Sequence, residues 1–373
     1  MAKLRRRDFL GRAAIATAGA GAVAACGGSA SAPEGGPAVV TKPRLNWRLA
    51  SSFPRGLDTI FGGAEVFAER VESLSEGRFR IRPYPAGELV PGLGVLDAVQ
   101  QGTVELGHTA SYYYTGKNPA VAFDTAMPFG LNTRQQNAWL YHGGGLELMR
   151  EVFADFNIVN FPAGNTGGQM GGWFRREVST LDELRGLKMR IPGLGAEVLS
   201  RLGVTVQTIP GGEIYPALER GVVDAAEWVG PYDDEKLGFQ RVAKNYYYPG
   251  WWEPGPTLSV YVNRTAWDGL PTEYQSIVQS AAAEANVDMI SRYDAVNPGA
   301  LKRLVDGGVT LRPFSDEIMT ASRDAAFELM NENAAADAGY RKIFESWDEV
   351  RRSSFRWFST AEQAYARFSF GGG

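Results

Sequence analysis

The chain has 373 residues, of which 44% are hydrophobic and 21% charged, with a formal net charge of -4. That charge speaks against nucleic acid as a partner, because a phosphate backbone calls for a basic surface. A single cysteine leaves no internal disulfide and no thiolate metal site, so stability must come from a hydrophobic core.

In chain order, the first element is Arg5-Arg6-Arg7-Asp8-Phe9-Leu10, a twin-arginine motif followed by a weakly apolar, Ala-rich run from Ala13 to Ala25. That run is too short and too weakly apolar to span a membrane. Val23-Ala24-Ala25-Cys26 reads as a lipobox, which would make Cys26 the lipid attachment point and anchor the protein to a membrane; the alternative is cleavage and release as a soluble protein. Both readings export the chain. Residues 27–43, rich in Gly, Ser, Ala and Pro, read as a flexible tether.

The remaining chain is long enough for two domains. We divide it into 44–160, mainly a first lobe, 161–270, mainly a second, and 271–373, a helical segment packing on both. Alternation at Leu45, Trp47 and Leu49 predicts a strand, and Ile60, Ala64, Phe67, Val71 and Leu74 recur at helical spacing. Phe79 and Ile81 mark a second strand and Val104 to Thr109 a third. In the second lobe, strands are predicted at Met170 to Phe174, Leu187 to Ile191, Val204 to Ile209 and Val222 to Ala226. Thr180-Leu181-Asp182-Glu183 is a capping box, and Ala196 to Leu202 a helix. Beyond Pro271 the chain is strongly helical. Tyr340, Ile343, Phe344 and Trp347 form an aromatic face that reads as core, with a dimer contact as the alternative.

One pattern occurs twice. Pro85-Ala86-Gly87-Glu88, thirteen residues before Ala98-Val99-Gln100-Gln101-Gly102-Thr103-Val104-Glu105, is matched by Pro210-Gly211-Gly212-Glu213, seven before Ala217-Leu218-Glu219-Arg220-Gly221-Val222-Val223-Asp224. Each copy reads as strand, turn, short helix, strand, the unit of a doubly wound α/β sheet. The fold class is therefore α/β, with two similar lobes around a central cleft and long C-terminal helices.

Ligands of open α/β sheets sit beyond the carboxyl ends of the strands. The repeat puts His108-Thr109 in register with Glu227-Trp228, both facing the cleft. After the first pair comes Ser111-Tyr112-Tyr113-Tyr114, three consecutive tyrosines that are costly to expose unless their rings close over something. Arg190 ends an apolar strand and offers a planar fork for a carboxylate; pairing with an internal acid such as Glu227 is an equal reading. Gln169 and Glu253 are polar groups in Gly- and Trp-rich surroundings whose simplest reading is turn and surface chemistry.

The segments Ser111 to Ala120, Gly186 to Gly193, Ala225 to Pro231 and Tyr246 to Glu253 resemble the periplasmic solute-binding subunit of tripartite ATP-independent periplasmic (TRAP) transporters, the DctP type. Within it, they are similar to the branch of 2-oxo acid and lactate receptors, and the resemblance runs from Leu45 to the C-terminal helices. It implies that Arg190 grips the carboxylate of a small organic acid such as pyruvate or lactate, with Tyr113 or Tyr114 covering the other side. It further implies a bridging cation, sodium or calcium, on Gln169, Glu227, the main-chain carbonyl of Trp228, and Glu253, an all-oxygen set suited to a hard ion. No organic cofactor is implied. The implied partners are the small and large TRAP membrane subunits, and a homodimer built through long C-terminal helices is permitted by the segment after Tyr340.

An enzyme would need a nucleophile or an acid–base pair, whereas this chain has only His108 and His142, no G-x-S-x-G elbow, and no P-loop lysine after Gly143-Gly144-Gly145. Two readings stay beside the 2-oxo acid receptor: a receptor for an ATP-driven importer, which shares the two-lobe plan, and a receptor for a larger or aromatic carboxylate.

Overall fold

The computed structural model describes residues 42–371. The twin-arginine segment, Cys26 and the tether up to residue 41 lie outside the described residues. Eleven strands are described: β1 (Leu45–Ser51), β2 (Phe79–Tyr84), β3 (Leu106–Thr109), β4 (Ile158–Asn165), β5 (Gly172–Phe174), β6 (Lys188–Arg190), β7 (Thr205–Gln207), β8 (Ala225–Ala226), β9 (Asn245–Tyr248), β10 (Thr257–Asn263) and β11 (Thr310–Pro313). They form two sheets, ordered β2-β1-β3-β10-β4 and β11-β9-β5-β8-β6-β7.

The sheets repeat one plan. In the first, β1 lies parallel to both β2 and β3, β10 runs antiparallel to β3, and β4 antiparallel to β10. In the second, β6 lies parallel to β7 and β8, β5 runs antiparallel to β8, and β9 antiparallel to β5. Parallel neighbours require crossovers, supplied by helices Gly62–Leu74 and Val95–Gln100 in the first sheet and Gly193–Arg201 and Gly211–Glu219 in the second. This is the two-lobed α/β architecture expected from the duplicated pattern.

The register of that duplication differs from the sequence reading. Pro210 opens its helix with φ -58° and ψ 147°, and its structural counterpart is Pro91, at φ -56° and ψ 145°, rather than Pro85. Pro91-Gly92 and Pro210-Gly211 both stand seven residues before their alanine, Ala98 and Ala217. The helix ends match as well. Thr103 and Val104 donate backbone hydrogen bonds to the Ala98 carbonyl, as Val222 and Val223 do to that of Ala217, with Gly102 at φ 71° and Gly221 at φ 70° making the reversal. These donations consume the residues that alternation counts as strand, so β3 and β8 begin later than predicted.

Two strands cross the linear division into lobes. β10, at 257–263, belongs to the first sheet although 161–270 reads as mainly the second lobe, and β4 reaches Asn165. Both are buried along their whole length, as expected of strands covered on both faces. Pro162 in β4 cannot donate to the ladder, and the pairing with β10 slips there, between Leu258 and Ser259. Helix Thr272–Asp306 lies against β4, burying Ile277, Val278, Ala281, Ala282, Ala285 and Met289. The small alanines allow close approach.

Thr180 and Glu183 form the predicted capping box, each side chain accepting from the other's backbone N–H. In helix Ala338–Phe358, Tyr340, Ile343 and Trp347 are buried, so the aromatic face is core up to that point. Beyond it Trp357 is 61% exposed, and Tyr365 and Phe368 in the last helix more so. No described helix is long and apolar enough to cross a membrane.

Candidate functional site

The carboxyl ends of β6 and β8 meet the turn after β3 around a small cavity holding about 250 Å³ of space free of protein atoms. Its walls are Phe53, Ile60, Tyr112, Tyr113, Thr166, Gln169, Arg190, Trp228, Val229 and Leu258, drawn from both sheets.

Arg190, the last residue of β6, is 1% exposed. Its Nε donates to the Ile209 carbonyl at 2.9 Å and its Nη1 to the Glu227 carbonyl at 3.0 Å; Nη1 also pairs with the Glu227 carboxylate. Nη2 has no partner. The two readings of Arg190 are therefore compatible: one arm is engaged by the internal acid, and the other is left for an acceptor in the cavity. The Trp228 ring lies 5.3 Å from the guanidinium, a cation–π contact. Burial works against the charge of Arg190, but Glu227, Tyr113, Tyr112 and Glu253 together hold its pKa above the ordinary arginine value.

Glu227 and Glu253 are fully shielded from solvent, and only Arg190 stands against their two potential charges. Burial pushes the Glu227 carboxyl up, and Arg190 opposes the shift without cancelling it. Burial and the neighbouring Glu227 together push Glu253 well above the usual carboxylate range. One oxygen of each, Glu227 Oε2 and Glu253 Oε2, has no hydrogen-bond partner, and neither has Gln169 Oε1. Gln169 is held by its own backbone N–H to the Glu253 carbonyl at 3.2 Å and by Nε2 to Thr166 Oγ1 at 3.0 Å. Gln169 and Glu253 are thus buried site residues, where the sequence reading favoured turn and surface chemistry. No group of three or more His, Cys, Asp or Glu suited to a metal occurs among the described residues. The donor set here is instead two carboxylates and a carboxamide. Buried acceptors of this kind, one charge short of balance, fit a hard cation.

The tyrosine run divides by function. Tyr112 and Tyr113 line the cavity, and burial raises the pKa of both, keeping them neutral. Tyr114, expected as an alternative cover for the ligand, turns the other way: its hydroxyl meets Thr109 Oγ1 at 3.0 Å and accepts from the Leu96 N–H at 3.2 Å. His108 is in register with Glu227 but sits behind Phe53, with Nδ1 3.2 Å from Ser51 Oγ. Burial brings its pKa down to about 3, so the ring is neutral. Phe53, Ile60, Thr166 and Leu258 went unread in the sequence, because apolar walls of a site carry the same pattern as core.

Behind the site, Asp234 accepts from Trp173 Nε1 at 2.9 Å, Tyr246 OH at 2.7 Å and the Val229 N–H at 3.2 Å. Asp233 accepts from Tyr293 OH at 2.7 Å, tying helix Pro231–Leu237, which follows β8, to helix Thr272–Asp306.

The sequence is 55% identical over 366 residues, 98% of this chain and 99% of the other, to a monocarboxylate 2-oxoacid-binding periplasmic protein from Nostoc sp.. A TRAP transporter solute-binding protein from Bordetella bronchiseptica superposes with a TM-score of 0.88 at 47% identity, covering 88% of this chain and 98% of that one. It is a mixed-occupancy dimer with calcium and picolinate bound in one site. A TRAP periplasmic solute-binding protein from Pseudoalteromonas atlantica, with bound sodium and pyruvate, gives a TM-score of 0.84 at 42% identity over 87% of this chain and 99% of that one. The family model for bacterial extracellular solute-binding proteins, family 7 (DctP), matches residues 51–337. Its members are solute-binding receptors and not enzymes. On that match the chain belongs to the DctP family of bacterial extracellular solute-binding proteins.

Proposed function

We propose that this chain is the extracytoplasmic receptor of a TRAP transporter for a small 2-oxo or 2-hydroxy monocarboxylate such as pyruvate or lactate, taken up together with a cation. The observation that carries the reading is the small cavity lined by Arg190 and Gln169, where Arg190 Nη2 and Gln169 Oε1 lack partners, as do the buried carboxylate oxygens Glu227 Oε2 and Glu253 Oε2. Arg190 Nη2 donates to the ligand carboxylate, and Tyr113 closes the opposite side. Gln169, Glu227, Glu253 and the Trp228 carbonyl hold the cation, which supplies the positive charge that lets two carboxylates and an anionic ligand share a dry site. Calcium neutralises that set completely beside Arg190. Sodium leaves one net negative charge in that set.

Because the walls come from both sheets, a ligand that spans them stabilises the closed arrangement. The closed receptor then docks on the small and large membrane subunits. The same reading has the chain exported by its twin-arginine segment and lipid-anchored at Cys26, and pairs two copies through the exposed aromatics after Phe355. Replacing Cys26 by serine and following lipid labelling tests the anchor, and sedimentation tests the dimer. A picolinate-sized acid is the second reading, favoured by the aromatic walls of the cavity.

The deciding experiment is calorimetry with pyruvate, lactate, picolinate and a C4 dicarboxylate. It is run on protein stripped of metal in sodium-free buffer, and again with sodium or calcium restored. Micromolar or tighter binding of a monocarboxylate only when a cation is present is the expected result. Equal affinity without any cation removes the bridge, and failure of every monocarboxylate overturns the receptor assignment.

A further inference from the structure

The turn Ser111–Tyr114 presents Tyr112 and Tyr113 to the cavity, and it is pinned at both ends by groups that touch no part of it. At its far end the Tyr114 hydroxyl is bonded to Thr109 and to the Leu96 N–H. At its near end Ser111 Oγ donates to Asp124, which is wholly buried. Asp124 also accepts from Ser259 Oγ of β10 at 2.6 Å and from Asn160 Nδ2 of β4 at 2.7 Å. One carboxylate thus ties the start of the turn to two strands of the first sheet.

The three groups that meet Asp124 all donate to it. Ser111 Oγ receives the Tyr261 hydroxyl proton at 2.6 Å, so its own proton goes to Asp124. The Ser259 hydroxyl and the Asn160 amide supply two more donors. An amide in place of Asp124 would keep one acceptor for the two serines and turn its NH₂ toward Asn160, whose unpartnered Oδ1 can accept it after a flip, so only loss of the side chain removes the grip. A carboxylate in this place, with no cation beside it, is costly to bury, and burial raises its pKa despite the three bonds.

We propose that Asp124 is a positioning residue of the ligand site: it fixes the near end of the turn so that Tyr112 and Tyr113 stand against the ligand held by Arg190. The proposal rests on reading the cavity as a carboxylate receptor.

The test is a double-mutant cycle read by pyruvate calorimetry, with cation present, on the full chain. Asp124→Ala is expected to weaken binding about tenfold in the otherwise unchanged protein, and less than about twofold where Tyr112 and Tyr113 are both alanine, because contacting groups couple and independent ones add. Ser111→Ala, which releases the turn from Asp124 and leaves the Tyr261 hydroxyl without its acceptor, is expected to act in the same direction if Asp124→Ala does not fold. Equal loss with and without the tyrosines would mean that Asp124 serves the fold in general and overturns the positioning role. So would unchanged affinity in the folded variants. Failure of the unmodified receptor to bind any monocarboxylate is a separate result, which overturns the receptor reading and this one with it.

Discussion

The Lys236 ammonium donates to the Asp58 carboxylate, joining the helix that follows β8 of the second sheet to the loop that follows β1 of the first. The Tyr232 hydroxyl reaches the same carboxylate at 3.2 Å, and Arg292 approaches it at 3.9 Å. Asp58 is thereby held below its ordinary pKa, although burial works in the opposite direction. The pair is partly exposed, which limits its contribution to about 1 kcal/mol or less. It bridges the two lobes without touching the cavity, so its energy bears on closure. Asp58→Asn is expected to speed ligand release about two- to fivefold, with the difference shrinking as salt is raised. Stopped-flow release rates that match the unmodified protein at low salt would exclude a latch.

Arg190 stands at the centre of the charge balance. Arg190→Ala leaves Glu227 buried without its partner, a change that costs about 3–5 kcal/mol in comparable pairs, and it abolishes carboxylate binding. Arg190→Lys keeps the charge but cannot span Ile209, Glu227 and a ligand with one planar group. It is expected to fold, melt a few degrees lower and bind pyruvate at least about tenfold more weakly. Denaturant titration and calorimetry measure the two effects apart; a lysine variant that binds normally would place the carboxylate elsewhere.

Glu253 makes the metal-free protein sensitive to pH. Its folded pKa lies above the unfolded value, so its favourable contribution is complete below the unfolded pKa and is lost as pH rises toward the folded one. In chelator, the unmodified protein should lose stability as pH rises above the ordinary carboxylate range, and Glu253→Gln should lose less. Calcium should stabilise the unmodified protein more than the variant. Thermal melts with the two curves parallel would contradict this electrostatic account.

His108 acts in the other direction. With a folded pKa near 3, it contributes stability that is intact above the unfolded pKa of about 6.5 and is lost as pH falls toward 3. The aspartates Asp233 and Asp234, raised to about 7 and about 6 by burial, gain in the same acid range and oppose it. The diagnostic is therefore a difference between proteins. His108→Gln should remove up to about 1.4 kcal/mol per pH unit of acid sensitivity, seen in denaturant midpoints between pH 7 and 5. A variant as acid-sensitive as its parent would mean that the ring is charged when folded.

The α/β class, the duplicated unit and the strand that ends at Arg190 were legible because they follow local rules: alternation, helical spacing and turn chemistry; the set of Gln169, Glu227 and Glu253 around it came only from the family resemblance. The register of the duplication was not. Pro85-Ala86-Gly87-Glu88 matches Pro210-Gly211-Gly212-Glu213 in letters, while Pro91-Gly92 matches it in backbone conformation. The membership of β10 in the first sheet is equally invisible, since it is set by pairing with β4 about a hundred residues earlier. Tyr113 and Tyr114 could not be told apart, and Tyr112 was not singled out, because successive residues of a tight turn point in different directions, and only the fold decides which face the cavity. Gln169 and Glu253 look like loop residues until the fold brings their backbones together.

The cavity is walled by side chains that are themselves sheltered, with Arg190, Trp228, Gln169 and Tyr112 all at most 7% exposed. Because these walls belong to both lobes, entry is expected to wait on the parting of the lobes more than on how well the solute fits. Pyruvate, lactate and picolinate should therefore share nearly one association rate, and whatever selectivity the receptor has should be written in how long each acid stays.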